Sequence, residues 1–372
     1  MTVQPRPLNV AMIGVGDITD LHYPAYVDFD QAVLHTICDA SESALARRSA
    51  QWGVKHKATD YRQVLVDPDI DLVEVNLPHH LHKEVVVAAL GAGKHVACQK
   101  PIATTIADAK AMVTAAEKSR GSFRVLENFV FYPPYEKARE LILAGEIGDP
   151  LTIRFKLGTG LFGSRWIPLK SELWHLRESE KGMGQAVFDD GYHKLSMAMH
   201  YFGPVASVMG FIGRSFNYID EPAQLMWRYK DNQVLGSFDN AFSPNLYTFS
   251  KYFPADERIE VVGTRGMIFL SQCTGQIMDA PPLILYRDGK SVLFEDLETD
   301  WQASFTAGIR DFPAAICEGR QTLISGKRAL EILQMAFALI IAAQKGVEVR
   351  PDEVSDDMIA ETLGKTKPDT TP

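Results

Sequence analysis

The apolar positions in the first third of the chain fall in short runs rich in β-branched residues, separated by stretches with helical periodicity. This pattern predicts strands over residues 8–13, 33–38, 71–76 and 95–98. A helix is predicted after each strand, from about residue 18, through Arg47 and Arg48, over residues 81–90 and over residues 106–118. Strands and helices that alternate at this spacing predict a parallel sheet covered on both faces.

Beyond about residue 123 the periodicity changes. Helices are predicted over 135–143 and 185–201, and a long strand over 151–157, followed by a loop-rich stretch. Alternation of apolar and polar positions predicts strands of a largely antiparallel sheet, and two helices then close the chain. These later elements are predicted at 223–229, 234–242, 258–262, 267–271, 283–286, 303–318 and 327–345. The predicted class is α/β, with domains at 1–124 and 125–360 and a polar, disordered tail at 361–372.

The chain has 372 residues, 46% hydrophobic and 23% charged, which is typical of a globular protein. Its net charge of −9 argues against a nucleic acid or an anionic membrane as the main partner. We expect a cytoplasmic protein, because residues 1–7 lack the apolar core of a signal peptide and no run of 18 apolar residues occurs. No metal site is predicted, and free thiols are predicted at Cys38, Cys98, Cys273 and Cys317.

The first candidate for chemistry is a glycine loop between the first predicted strand and its helix. Gly14 would make the tight turn, and Gly16 would let a pyrophosphate approach the backbone at the helix N-terminus. Thr19 stands where a third small residue is usual, so the match to the dinucleotide-binding pattern is incomplete. An ordinary strand-to-helix turn is the alternative. The cofactor-binding residues predicted here are Gly14, Gly16, Asp17 and Ile18.

Asp39 follows the second predicted strand, 23 residues after Gly16. A carboxylate at this place can accept hydrogen bonds from both hydroxyls of an adenosine ribose, and it repels a 2′-phosphate, so it favours NAD over NADP. The alternative is that Asp39 only caps the next helix. Arg47 and Arg48 could serve a phosphate, but they are predicted to lie on the solvated face of that helix.

Two more segments follow predicted parallel strands, at the sheet edge where ligands bind. The first turns at Pro78 over the predicted nicotinamide half of the crevice, and its histidines could instead be surface or packing residues. The second places Lys100, before Pro101, at the mouth of the crevice. The cofactor-binding residues predicted from the two segments are Leu77, Pro78, His79, His82, Gln99 and Lys100.

Asp189 and His193 lie four residues apart in a predicted helix, so both project from one face. An imidazole titrates near neutral pH and can remove a hydroxyl proton. The plain alternative is an ion pair on the surface of the helix.

In their order and spacing, the glycine loop, the acid after the second strand, the [EQ]-K-P tripeptide and the D-x-G-x-H motif resemble those of the Gfo/Idh/MocA oxidoreductases. The resemblance covers about residues 9–349. It implies an N-terminal Rossmann domain that binds NAD, followed by a C-terminal α+β domain. That second domain would carry a large open, mostly antiparallel sheet of the kind that commonly mediates dimers or tetramers. D-apiose dehydrogenases are similar in size and layout.

The resemblance implies a dehydrogenase of a small neutral sugar or polyol, with Lys100, Asp189 and His193 as catalytic residues. His193 would take the hydroxyl proton, Lys100 would stabilise the developing alkoxide, and Asp189 would bind a neighbouring hydroxyl. Oxidation of an aldose such as D-apiose at C1 to its lactone is one form of this reaction. Two alternatives stay open: an enzyme that retains NAD and uses transient oxidation to eliminate a glycosidic substituent, and a non-catalytic sensor on the same fold.

Several positions depart from the family pattern. Gln99 replaces the usual glutamate, so Gln99→Glu is predicted to shift the pH–rate profile to higher pH by adding a negative charge beside Lys100. Ser196 replaces an acid that often follows the histidine. Phe129 and Val130 stand where relatives often carry arginines, which disfavours a charged substrate. The remaining predicted substrate-binding residues are Asn128 and, in a loop that could equally pin itself to the core, Trp166, His175 and Arg177.

Overall fold

A computed structural model of the protein describes residues 6–162, 185–213, 221–248, 250–252, 255–271, 275 and 277–364. The chain divides into two compact units. The first comprises Met1–Asn128 and Ser304–Leu330, and the second comprises Phe129–Ala303 and Glu331–Pro372.

The first unit is built on a six-stranded parallel sheet with the strand order β3-β2-β1-β4-β5-β6. This order is that of a doubly wound Rossmann fold, whose crevice lies beyond the carboxyl ends of the strands. The strands are β1 (Leu8–Ile13), β2 (Ala32–Cys38), β3 (His56–Ala58), β4 (Leu72–Val75), β5 (His95–Gln99) and β6 (Phe123–Leu126). The helices between them are α1 (Thr19–His22), α2 (Glu42–Trp52), α3 (Tyr61–Val66), α4 (His82–Gly91) and α5 (Ile106–Lys118).

Local sequence explains where these elements start and how they pack. Ser41 caps α2, because its hydroxyl accepts a hydrogen bond from Ala44 N at 3.2 Å. The central strands β1 and β4 are mostly buried on both faces, as expected when helices cover both. Ile309 and Phe312 from the segment 304–330 are buried in the same core cluster as Met12. Each such large side chain contributes about 1.5–3 kcal/mol when buried, which ties this late segment to the first unit.

The second unit contains an eight-stranded mixed sheet with the order β14-β13-β12-β11-β7-β10-β9-β8. Its neighbours pair antiparallel except for the central pair β7 and β10, which is parallel. The strands are β7 (Pro150–Phe162), β8 (Val205–Ile212), β9 (Ala223–Tyr229), β10 (Leu235–Tyr247), β11 (Ala255–Gly263), β12 (Gly266–Ser271), β13 (Leu283–Arg287) and β14 (Lys290–Phe294). The helices are α6 (Pro133–Leu143), α7 (Gly191–Phe202) and α10 (Asp356–Gly364).

Two long helices each contain residues of both compact units. From Ser304 onward α8 (Trp301–Glu318) belongs to the first unit, and from Glu331 onward α9 (Gly326–Lys345) belongs to the second. The predicted second domain contains all of residues 125–360. The domain boundaries stay a prediction. The two compact units divide the chain differently, because α8 contributes to the core of the first unit.

The predicted fold class is confirmed in both of its parts. Some elements differ from expectation. The short strands β3 and β6 were not predicted, and the helix predicted over 185–201 is a π-helical turn, Gln185–Asp189, followed by α7. Helix α10 extends to Gly364, so the first residues of the predicted tail are helical. Among the described residues, no helix is both long and apolar enough to span a membrane. Cys38 and Cys98 are buried free thiols, and Cys317 is an exposed one.

Candidate functional site

The glycine loop has two glycines in different surroundings. Gly14 has a φ of +86°, and a Cβ there would lie 2.3 Å from the carbonyl oxygen of Asn76, so the turn has no room for a side chain. A Cβ on Gly16 would meet nothing within 4 Å. Gly16 is exposed, so the space beside it opens to solvent. The predicted division of labour, with one glycine for the turn and one for close approach of a ligand, fits this geometry.

The helix that opens after the loop is shorter than predicted. Helix α1 has four residues and passes directly into a 3-10 turn, Tyr23–Tyr26, because Pro24 has no N–H to continue the α-helical pattern. Such a short helix has little macrodipole, so an anion here would depend on individual backbone N–H groups. Thr19 is fully buried and donates to Gly16 O at 2.5 Å, which ties the loop to the start of the helix.

Asp39 supports the loop from the second strand. One carboxylate oxygen accepts from Val15 N at 3.0 Å and the other from Ser41 N at 2.9 Å. Each oxygen keeps a further lone pair for a ligand hydroxyl. The N-cap of α2 is Ser41, so capping by Asp39 does not describe the arrangement. The role of Asp39 in binding ribose stays a prediction that this geometry permits.

Arg48 is not on a solvated helix face, contrary to the sequence analysis. It is only 1% exposed and donates to Gly16 O at 2.9 Å and to Val15 O at 3.3 Å. It also forms an ion pair with Asp20 and lies 4.8 Å from the centroid of the Trp52 ring. Arg48 therefore braces the carbonyl side of the glycine loop and is already committed. The helical periodicity of α2 could not reveal this role, because Val15, Gly16 and Asp20 lie 28 to 33 residues earlier in the chain. Arg47 is exposed, as predicted.

The segments that follow β4 and β5 are joined by a buried histidine. His82 is fully buried, and its Nε2 lies 2.8 Å from Leu77 O, while its Nδ1 lies 3.1 Å from Pro101 O. Carbonyl oxygens only accept, so a neutral ring can donate to one of the two segments at a time. Burial lowers the pKa of His82. This geometry gives His82 a bracing role, and its predicted contact with the cofactor stays a prediction. His79 is buried beside it, with ring centroids 5.6 Å apart.

Gln99 and Lys100 lie at the end of β5. The Gln99 Oε1 accepts from Lys100 N at 2.8 Å, and its Nε2 lies 3.2 Å from His22 Nε2. His22 in turn contacts Glu74 at 2.8 Å. Neither His22 nor Glu74 was singled out from the sequence, although a charged residue inside the apolar strand Leu72–Val75 was a signal that it needed a partner.

Asn128 is the last residue of the first of the two segments that form the first unit. It is 7% exposed, and its Nδ2 donates to Ser304 Oγ at 2.8 Å. A small cavity adjoins it, lined by His22, Gln99, Arg124, Leu126, Glu127, Asn128, Phe305, Gly308 and Ile309. The predicted contact of Asn128 with substrate stays a prediction.

In the second unit, Asp189 closes the π-helical turn and His193 lies in the first turn of α7. They lie in successive elements, and the prediction that both project from one face stays a prediction. His193 is 6% exposed, and its ring stacks on Phe129 with centroids 4.1 Å apart and planes 15° apart. Phe129 thus orients the imidazole, which the sequence did not reveal. Lys100 belongs to the first unit, and its meeting with His193 stays a prediction.

A buried lysine follows the candidate histidine. Lys194 is 4% exposed, donates to Asp190 at 2.7 Å and forms a second, shorter ion pair with Glu257. Burial works to lower the pKa of Lys194, but Asp190 and Glu257 outweigh it and raise that pKa. Burial raises the pKa of Glu257. The Lys194 ammonium also lies 5.1 Å from the centroid of Phe129. We call Asp190, Lys194 and Glu257 the lysine cluster.

The loop candidates Trp166, His175 and Arg177 lie outside the described residues. In the part of the chain that the structure describes, no group of three or more His, Cys, Asp or Glu side chains is arranged to hold a metal ion.

Comparison with known proteins places both units in one family. A model described as "Oxidoreductase family, NAD-binding Rossmann fold" matches residues 8–126, and the "GFO/IDH/MocA C-terminal domain" matches residues 135–269. The chain belongs to the GFO/IDH/MocA oxidoreductases. The predicted family and its NAD cofactor are thereby confirmed.

Two similar proteins are named as sugar dehydrogenases. The chain is 32% identical over 209 residues to levoglucosan dehydrogenase of Pseudarthrobacter phenanthrenivorans. The aligned region covers 54% of this chain and only 53% of that protein. It is 26% identical to D-apiose dehydrogenase of Paraburkholderia graminis, over 97% of this chain and 95% of the relative. A structure of levoglucosan dehydrogenase with NADH and levoglucosan aligns with a TM-score of 0.78 and 24% identity, over 94% of this chain and all of that one, which shows the shared fold.

The residues of the first unit fit NAD. The space beside Gly16 leaves the loop open to a pyrophosphate, and both Asp39 oxygens keep accepting capacity for ribose hydroxyls. The only arginine of α2 that reaches the loop, among the described residues, is Arg48, and its donors are already used. If Asp39 held the ribose as predicted, its carboxylate would repel a 2′-phosphate.

Proposed function

We propose that the protein is an NAD-dependent dehydrogenase that oxidises a hydroxyl of a small neutral sugar or polyol. The observation that carries the substrate class is the pairing of His193 with Phe129. An aromatic ring, not a cation, covers the face of the candidate base. The nearby Lys194 ammonium is committed to two carboxylates and offers no charge to a phosphate or a uronate.

In this proposal His193 takes the hydroxyl proton as general base, and stacking on Phe129 keeps its ring in one plane. Lys100 stabilises the alkoxide that develops on the substrate oxygen, since its ammonium attracts a negative charge that the neutral hydroxyl of the ground state lacks. Asp189 binds a neighbouring hydroxyl. NAD, when bound, accepts the two electrons and the hydrogen that leave the substrate carbon. The finer proposal is oxidation of an aldose at C1 to its lactone, with D-apiose as one candidate.

The test is a panel of neutral sugars and polyols, including D-apiose and levoglucosan, with uronates and sugar phosphates for comparison. NADH formation is followed by absorbance, with NADP as the alternative cofactor. We expect turnover with a neutral member and NAD. His193→Gln and Lys100→Met should each lower kcat by about 10²–10⁴-fold. Matched controls are His200→Gln on the same helix and Lys110→Met on the surface of α5, which should keep full activity.

Other outcomes would replace the proposal. NAD that stays bound through turnover without net reduction would indicate the elimination reaction instead. Sugar binding with no turnover, and with Lys100→Met indistinguishable from the wild type, would indicate a sensor.

We further propose that the protein forms a homodimer or homotetramer in the cytoplasm. The sheet of the second unit exposes large apolar side chains that a partner copy would cover. They include Met209, Phe211, Met226, Leu235, Phe269 and Tyr286. Light scattering measures the mass, and Phe211→Lys together with Met226→Lys should yield monomers.

A further inference from the structure

A buried carboxylate lies in the centre of the parallel sheet of the first unit. Glu74 is 0% exposed, and neutral donors surround it. Asn76 Nδ2 lies 2.7 Å from its Oε1, and His22 Nδ1 lies 2.8 Å from the same atom. The hydroxyl of Tyr26 forms a short hydrogen bond to its Oε2. Burial works to raise the pKa of Glu74, and the hydrogen bonds from His22, Tyr26 and Asn76 work against burial.

A chain of hydrogen bonds runs from Lys100 through Gln99 and His22 to Glu74, and one donor, the backbone N–H of Lys100, fixes the direction of each bond. The backbone N–H of Lys100 can only donate, so the atom of Gln99 that faces it is the oxygen. The Gln99 amide nitrogen therefore faces His22 Nε2 and donates to it. An Nε2 that accepts carries no proton, so the proton of the neutral ring is on Nδ1, where it is donated to Glu74.

We propose that His22 and Glu74 are positioning residues for Lys100, acting through a buried relay that holds the Gln99 amide in one orientation. This inference rests on the proposed function of Lys100. Each group in the relay has one possible role. Glu74 accepts from His22 Nδ1, neutral His22 accepts from the Gln99 amide at Nε2, and Gln99 accepts from the backbone N–H of Lys100. A glutamine fits position 99 because it can donate to His22 and accept from Lys100 at once.

A carboxylate at position 99 would not fit the same relay. It could still accept from Lys100 N, but its second oxygen would face a His22 Nε2 that has no proton to donate. The relay would be completed only if His22 took a second proton and became a cation between two carboxylates. The identity of residue 99 and the protonation of His22 are therefore linked.

The surroundings of His22 include other charged groups. Arg124 and Glu127 line the same small cavity as His22, and the ring of Phe305 lies 5.5 Å from that of His22. Burial, and then the neighbouring carboxylate of Glu74, raise the pKa of Tyr26, so this hydroxyl stays protonated and donates. The positive charge of Arg124 and the negative charges of Glu127 and Glu74 are already present without a charged His22.

The relay is tested by ¹⁵N NMR of the side chains of the whole protein labelled at its ten histidines. His22→Gln assigns the His22 signals by their loss. In the wild type we expect a protonated Nδ1 and an unprotonated Nε2. A proton on Nε2 would overturn the proposal.

The sharper variant is Gln99→Glu, which changes one amide to a carboxylate of the same shape. We expect both ring nitrogens of His22 to be protonated at about pH 7 in this variant. A His22 that keeps one proton would mean that residue 99 and His22 are not linked, which contradicts the relay.

A kinetic measurement separates the relay from the proposed function. Glu74→Gln should lower kcat by about 10-fold to 100-fold through misplacement of Lys100, while KM for NAD stays unchanged. If Glu74→Gln fails to fold, Tyr26→Phe removes a single donor and should give a smaller fall in kcat. An unchanged kcat in a folded variant would overturn the positioning role. Absence of turnover on every substrate would defeat the proposed function, while the NMR result would still decide the relay.

Discussion

In the first unit the buried carboxylate of Glu74 is matched by neutral donors, from His22, Tyr26 and Asn76, whereas in the second unit the buried Glu257 is matched by the ammonium of Lys194. Glu74 reaches the candidate catalytic Lys100 through His22 and Gln99, and Glu257 contacts Lys194, the residue after His193. Neutral hydrogen bonds fix direction, because each has one donor and one acceptor. Ion pairs fix direction less closely, and both partners have been taken out of water. The comparison suggests that the first arrangement positions its neighbour, and that the second holds α7 against the sheet at a desolvation cost.

The largest effect should come from breaking the lysine cluster. Lys194→Met keeps the length of the side chain but leaves Glu257 buried without its cation. We expect the free energy of unfolding of the second unit to fall by about 3–5 kcal/mol. Hydrogen exchange measured peptide by peptide over β11 and α7 reports this unit separately from the other.

The double variant Lys194→Met with Glu257→Gln controls for loss of charge. It should recover most of the stability, because the costly species is the unpaired carboxylate and not the missing pair. Lys194→Met with wild-type protection would show that the cluster is solvated. The pH dependence has a definite sign. The pKa of Lys194 is raised, so its contribution is full below the ordinary lysine value of about 10.4 and is lost as pH rises through the raised value.

The next effect contrasts the two glycines of the loop in the first unit. Gly14→Ala places a methyl group 2.3 Å from Asn76 O at a φ of +86°, and should lower the free energy of unfolding by about 2–4 kcal/mol. Gly16→Ala places the same group in open space. Its stability should change by less than about 0.5 kcal/mol, but its Kd for NAD, measured by calorimetry, should rise because the methyl occupies the space left for the pyrophosphate. An unchanged Kd for NAD in Gly16→Ala would show that the cofactor does not bind beside Gly16.

These contrasts also show what the sequence can and cannot predict. Gly14 and Gly16 were predicted because a loop between a strand and a helix is a local feature, and its geometry needs only a few consecutive residues. Asp39 was predicted from its place at the end of the second strand. The brace on that loop, Arg48, was misplaced, and the partners of Glu74 were missed. The ion pair of Arg48 with Asp20 joins residues 28 apart in the chain, and the contact of Glu74 with His22 joins residues 52 apart. The period of a helix says which face is polar, but it does not say that a polar side chain is paired in the interior.

The same limit applies to the second unit. The motif at residues 189–193 identified His193, but the division at Asp190 and the stacking on Phe129 depend on how α7 packs on its sheet. A charged residue among apolar neighbours was the available signal in both units. Glu74 stands in an apolar strand, and Lys194 stands in a helix that is buried on nearly every side. Each required a partner that only the fold could name.

A smaller effect is expected from Glu74→Gln, which replaces a charged acceptor by an amide in a site built for a carboxylate. The free energy of unfolding of the first unit should fall by about 1–3 kcal/mol at neutral pH, measured by hydrogen exchange over β4. The hydrogen bonds from His22, Tyr26 and Asn76 favour the charged form of Glu74, so the difference from the wild type is full above the ordinary value of about 4.3 and is lost on acidification below it. A difference that grows on acidification would contradict the charged state of Glu74.

The smallest effect should come from an ion pair that lies on the surface of the second unit. Arg154 and Glu260 are 2.6 Å apart on neighbouring strands, with the arginine side chain 59% exposed. Arg154→Met should change the free energy of unfolding by less than about 0.5 kcal/mol, since water screens the pair and replaces its hydrogen bonds. It is the matched control for Lys194→Met, because both variants remove one cation from a carboxylate of the same strand, β11. If the two variants gave equal losses, burial would not be what distinguishes the lysine cluster, and the contrast with Glu74 would have to rest on hydrogen-bond geometry alone.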